Sequence, residues 1–178
     1  MPTAFYSHIA EVLLSAHERA YSAVNYSMVL AYWETGRSIV EKQHGKERAA
    51  YGDALIKGLS ERLTADFGRG FDASNLLSMR RFYLAFPIQD ALRPELTWTH
   101  YRKLIKVKDG TARTWYMNEA ADEQWFTRQL DRQISTLYYD RLLASVDKAP
   151  VVAEANRKLA RKRPERFIKN PYVLEFLD

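Results

Sequence analysis

The sequence predicts an all-α protein: a long N-terminal helix or helical hairpin, followed by helix-turn-helix-like helical units. Three observations predict it. Apolar residues recur at three- and four-residue steps along most of the chain. Seven glycines and six prolines in 178 residues are few for an all-β protein. No segment alternates with the period of two that a half-buried strand requires.

The first element is long. Phe5, Ile9, Val12, Leu13, Ala16, Ala20, Val24, Met28, Ala31 and Ile39 form one apolar stripe at helical spacing. Thr3 can cap its start. No proline interrupts it before His44-Gly45, where the helix should stop. A helix of about 40 residues spans roughly 60 Å, too long for a compact domain of this size unless it bends or pairs. Ser22 to Asn25, or Gly36, could break it. Otherwise it makes a coiled-coil or hairpin contact, and a homodimer is expected. Residues 1–48 therefore read as a long helical dimerisation segment.

Residues 49–149 read as a helix-turn-helix-like domain. A helix begins near Ala49, carries Tyr51, Leu55, Leu59 and Leu63, and stops at Phe67-Gly68. Gly68 and Gly70 supply the freedom for a tight reversal. Asp72 caps the next helix, which runs to Phe86 before Pro87 ends it. Phe71 precedes the cap, where a hydrophobic staple onto Leu76 can form. Thr97 caps a helix over 98–107. Asp109-Gly110 breaks it, and Asp109 or Thr111 caps another over 112–124. A last helix is expected from Phe126 to Val146, with Leu130, Ile134, Leu137, Tyr138, Arg141 and Leu142 in period.

Pro150 marks a boundary. Residues 150–178 read as a basic linker and a junction toward something further, or as a strand or helix docked on a partner. Asn156 to Pro164 is basic, and Asn170 to Asp178 is apolar for a terminus. The basic run 157–169 fits either a phosphate-gripping arm or a linker.

The net charge is +5, and its placement is uneven. Basic and acidic side chains balance at five each over residues 1–50 and six each over 51–100. They stand at nine against seven over 101–150, and seven against four over 151–178. The whole excess lies in the last 78 residues, a distribution that favours a polyanion. With no cysteine there is no disulfide framework, and a reducing cytoplasm is the natural expectation. No apolar run reaches the roughly 18 residues of a membrane span, so no membrane partner is expected.

Catalytic patterns are missing. His8 and His17 lack the four-residue spacing of a helical metal pair, and no G-x-S-x-G, P-loop or H-E-x-x-H motif occurs. No Glu-x-Lys stands at the end of a strand pattern, where a metal-dependent nuclease would need it. Neither a metal nor a cofactor is implied. Two binding sites are candidates. In the first, Arg69 lies in the Gly68–Gly70 turn, and Ser74, Asn75, Ser78, Arg80 and Arg81 lie on the following helix. Asn can read adenine and Arg guanine in a major groove, with Leu76, Leu77, Met79, Phe82, Tyr83 and Phe86 as core. In the second, Arg102, Lys103, Lys106, Lys108 and Arg113 suit phosphate contacts. A recognition helix starting near Thr127 then presents Arg128, Gln129 and Arg132. The first set would serve equally as a solvated face; the second fits that reading less well, because only Asp109 offsets the basic run from Arg102 to Arg113. The four tryptophans read as core more readily than as stacking platforms.

Several phrases together carry a resemblance. They are Tyr32-Trp33-Glu34-Thr35-Gly36-Arg37, Leu59 to Thr64, Phe67 to Tyr83, Leu96 to Tyr101, Trp125 with Arg128 and Leu130 to Ile134, and Asn170 to Leu177. The chain resembles the N-terminal domain of YhcG-type bacterial proteins over nearly its whole length. In that family this helical domain precedes a C-terminal PD-(D/E)XK nuclease domain, so the resemblance implies that residues 150–178 are a basic linker and junction toward an absent nuclease domain, or the end of a stand-alone module. The resemblance implies a non-catalytic module that binds double-stranded DNA. The alternative is a protein-interaction domain that positions a nuclease or partner. One departure stands out. The family places Ser after the tryptophan, and this chain has Phe126. The helix cap must come from elsewhere, or Thr127 must supply it.

Overall fold

The computed structural model describes residues 3–43, 49–145 and 149–160. Among them every regular element is helical. They are α1 (Thr3–Gln43), α2 (Ala49–Phe67), α3 (Ala73–Ala85), α4 (Trp98–Leu104), α5 (Gly110–Asp122), α6 (Thr127–Ser135), α7 (Tyr138–Ala144) and α8 (Ala149–Ala160). A 3₁₀ turn, Gln89–Ala91, lies between α3 and α4.

α1 is one unbroken helix of 41 residues. Neither Ser22–Asn25 nor Gly36 interrupts it. Gly36 is instead where α3 crosses: a Cβ there would fall 2.1 Å from the Met79 carbonyl oxygen. Only a glycine admits that approach. The single stripe expected along α1 is two stripes. Val29, Trp33, Gly36 and Val40 face the body and are buried. Phe5, Ile9, Val12, Leu13 and Val24 are exposed, as is Ala31. At 100° per residue the two stripes point about 160° apart. The expected stop at His44-Gly45 lies outside the described residues.

α2, the turn and α3 follow the sequence closely. Gly68 and Gly70 adopt φ +77° and +109°, the left-handed region that favours glycine. Asp72 caps α3 by accepting the Asn75 N–H at 3.0 Å. Phe71 packs against the cluster that contains Leu76, and its ring meets Tyr32 and Phe67. That cluster (Ile39, Ile56, Leu76, Met79) seals α1, α2 and α3. Leu77, expected in the core, points outward instead.

The larger core joins Val29 and Trp33 of α1 to Phe82, Tyr101, Leu104, Tyr116, Trp125, Leu130 and Tyr138. Trp98 packs against both clusters. Trp33 donates its indole N–H to the Phe86 carbonyl at 2.6 Å, which fixes the end of α3 on α1. Trp33 and Trp125 are buried, and Trp98 and Trp115 half-buried.

α4 ends at Leu104, short of Val107, because its last turn tightens. Lys106 N–H bonds Lys103 O at 3.1 Å and Val107 N–H bonds Leu104 O at 3.0 Å. Asp109 caps α5 by accepting Thr111 N–H at 2.9 Å. The expected single helix from Phe126 to Val146 is broken into α6 and α7. Thr136 folds its hydroxyl back onto the Arg132 carbonyl at 2.9 Å, and Leu137 takes a left-handed φ of +52°. That residue ends α6 as a glycine would.

Pro150 falls in the first turn of α8, where a missing N–H costs nothing. Arg141 of α7 pairs with Glu154 of α8 at 2.9 Å. Part of the basic run is thus helical, and residues 161–178, including the apolar ending, lie outside the described residues.

Candidate nucleic-acid interface

The second candidate set is built on α4, α5 and α6, and its frame is a buried histidine. Thr97 donates its backbone N–H to His100 Nδ1 at 3.1 Å, and its hydroxyl lies 2.8 Å from the same nitrogen. An Nδ1 that accepts must leave the proton on Nε2. Nε2–H then donates to the Trp125 carbonyl at 3.0 Å. One neutral ring therefore starts α4 and holds the α5–α6 junction. Burial lowers the His100 pKa, which keeps it in that form.

α6 begins at Thr127 without a side-chain oxygen at its cap. Phe126 occupies the cap position, and Gln129 reaches back to accept its N–H at 2.6 Å. Thr127 is the first helical residue rather than the cap. Leu130 and Gln133 are buried, so Arg128, Asp131 and Arg132 face outward.

α4 and α6 pack side by side. Lys103 Nζ lies 3.0 Å from Asp131 Oδ1 across them. Such a surface pair stabilises by about 1 kcal/mol at most, but it marks where the two helices touch. Arg102 and Lys106 flank Lys103 on one side, and Arg128 and Arg132 flank Asp131 on the other. Basic residues more than twenty positions apart in sequence thus share one surface. Lys108 is exposed in the connector after α4. Arg113 is turned elsewhere: its Nη1 donates to the Val107 carbonyl at 2.9 Å, and its guanidinium lies 5.6 Å from the Phe86 ring centre.

The first candidate set is more dispersed. Arg69, Ser74 and Arg81 are exposed. Asn75 is buried and committed at both ends: its amide N–H bonds the Gly70 carbonyl, and its oxygen accepts the Trp98 indole N–H at 3.1 Å. Ser78 bonds back to the Ser74 carbonyl at 2.9 Å. Arg80 reaches Gln43 of α1 at 2.6 Å. The outward face of α3 carries Ser74, Leu77, Arg81 and Leu84, continued by Ile88. Sequence reasoning passed over Leu84 and Ile88, which are 51% and 66% exposed. Their 4-3-4 spacing with Leu77 and Arg81 was the available signal.

Among the described residues no group of three His, Asp or Glu side chains could hold a metal ion. No helix there is long and apolar enough to cross a membrane.

The fold is an all-helical domain, with exposed basic side chains on α4 and α6 and in the connector after α4. The chain belongs to the DUF1016 N-terminal domain family, whose model matches residues 8–141. It is also similar to a protein named "Putative nuclease YhcG" from Escherichia coli (strain K12). The two are 36% identical over 213 aligned positions, covering 99% of this chain and 57% of that protein. The chain thus spans somewhat over half of that relative's length. No solved structure matches it.

Proposed function

We propose that this chain is a DNA-binding, dimerising module that guides a nuclease-associated protein, with the cutting chemistry elsewhere. The observation that carries the reading is the α4–α6 surface. There, the Lys103–Asp131 pair joins two helices on which, or next to which, Arg102, Lys106, Arg128 and Arg132 are exposed. Separated cationic side chains on a helical surface suit the phosphates of a duplex. The relative named as a nuclease fits the same substrate class. Arg69 and Arg81 form a lesser part of the surface. Asn75, Arg80, Arg113 and Gln129 act on DNA only through the fold they support.

The test is a fluorescence anisotropy titration with duplex DNA across salt concentration. Affinity falls steeply with salt, and the double variant R128A/R132A reduces the log–log slope by roughly 2, or about 0.9 per lost phosphate contact. No binding at low salt overturns the reading. Tighter binding to single-stranded DNA or to RNA reassigns the substrate.

A second reading, a scaffold that docks a protein, is favoured by the apolar face of α3. L84E with I88E would abolish association with the nuclease portion of a full-length family member and leave DNA affinity unchanged.

A further inference from the structure

The exposed half of α1 has a shape that specifies its partner. Its seam is Tyr6, Ile9, Leu13, Ala16, Ala20 and Ala23, in alternating three- and four-residue steps. Phe5, Val12 and Val24 widen it. The large side chains among these are between 43% and 69% exposed. The seam points about 160° away from the stripe that holds α1 to the body, and among the described residues nothing covers it. Beyond Val24 the same face turns polar and exposed, through Ser27, Glu34, Ser38 and Glu41. The apolar seam therefore ends near Val24.

Tyr6, Ile9 and Leu13 lie in its first half and the three alanines in its second, with Val24 the one large side chain beside the alanines. A parallel pairing would stack Tyr6, Ile9 and Leu13 on their own copies and leave three alanine layers beside them, splaying the helices. An antiparallel pairing that sets residue i opposite residue 29 − i gives six layers of three kinds, each occurring twice: Tyr6 with Ala23, Ile9 with Ala20, and Leu13 with Ala16. Every layer then joins one large and one small side chain at a uniform spacing.

We propose that the free half of α1 binds a second copy of this chain antiparallel, in that register. This rests on the dimerising reading above and gives it a geometry. Phe5 and Tyr6 are aromatic side chains of roughly 150–250 Å² each, and with Ile9, Val12, Leu13 and Val24 the exposed seam supplies on the order of 500 Å² per copy. Two copies reach the roughly 1,000 Å² of a specific interface. Glu11 and Glu18 sit on the far side of the helix, so no like charges meet across the seam. The bodies lie on the outer sides of the pair, at opposite ends and roughly 40 Å apart, without collision.

The chain has no cysteine, so engineered thiols report the register cleanly. Leu13→Cys and Ala16→Cys are prepared separately, then mixed and oxidised gently. The mixture is expected to cross-link several-fold more than either variant alone. Equal or greater cross-linking of each variant by itself overturns the antiparallel register. Light scattering on the unmodified chain separates the two claims. A monomeric mass at high concentration overturns the dimer itself, whereas a dimer that persists in Leu13→Glu, with helical circular dichroism intact, places the interface elsewhere and overturns the seam.

Discussion

Gly36 and Met79 meet backbone to backbone: a Cβ on Gly36 would lie 2.1 Å from the Met79 carbonyl oxygen and 2.7 Å from its carbon. α3 is thereby seated on α1 closer than any side chain would allow. The rest of the body is then built on this pair through Trp33, Phe82 and Trp98.

Gly36→Ala should destabilise the fold by about 3 kcal/mol, because a carbonyl, unlike a flexible side chain, cannot step aside. Gly58 offers the control. It lies inside α2 with nothing within 4 Å of a new Cβ, so Gly58→Ala should stabilise by about 0.5–1 kcal/mol through helix propensity. Urea denaturation of both variants measures the contrast. Equal effects of the same sign would refute the close approach.

Asn75→Ala leaves the Trp98 indole N–H and the Gly70 carbonyl without partners. A loss of about 2–3 kcal/mol in unfolding free energy is expected. DNA affinity, measured where the variant is still folded, should stay near that of the unmodified chain. A stable variant that loses DNA binding would make Asn75 a reader rather than a brace.

His100 makes stability depend on pH. Its folded pKa is lowered from 6.5 by burial, so the native state resists protonation. Its contribution is complete above about 6.5 and is lost as pH falls through the lowered folded value. Protonation also turns Nδ1 into a donor facing the Thr97 N–H. Glu119, whose pKa burial raises, works in the opposite sense near its own range. The comparison is therefore with His100→Gln, which keeps an acceptor and a donor. Melting temperature should fall between pH 7 and 5 in the unmodified chain more than in the variant. Parallel curves would exclude His100 as the cause.

Leu137 sits in a left-handed conformation and is 60% exposed. Glycine there removes about 1–2 kcal/mol of backbone strain against about 0.5–1 kcal/mol of added unfolded-state entropy. Leu137→Gly should therefore stabilise by roughly 0.5–1 kcal/mol. A drop in stability would mean that the side chain packs more than its exposure suggests.

Elements announced by local chemistry were legible in the sequence. Asp72 and Asp109 cap where expected, Gly68 and Gly70 turn the chain, and Pro87 closes α3. The break between α6 and α7 was not, because neither glycine nor proline marks it. It arises from Thr136 bonding back to Arg132 and from a leucine in a glycine's conformation. Periodicity told that α1 has an apolar face but not what covers it, so two faces on opposite sides read as one. In the candidate site, the cluster of positive charge after Arg102 was visible as a local run. Its approach to Arg128 and Arg132 depends on α4 packing against α6. The side chains that the fold consumes were indistinguishable from free ones. Asn75, Arg80, Arg113 and Gln129 each answer a partner far along the chain, or a backbone group whose position only the folded turn defines.

Because α1 passes from the body to its free end without a hinge, the two halves are phase-locked. Inserting one residue between Val24 and Asn25 would rotate the free half by about 100° and advance it about 1.5 Å. Tyr6, Ile9 and Leu13 would then face another quarter of space, with every contact of the body intact. Exposed positions such as Ser27 should tolerate substitution readily, unlike Tyr26, which packs on the core, whereas the length of the stretch between the halves should tolerate change hardly at all, the reverse of what a connecting loop permits.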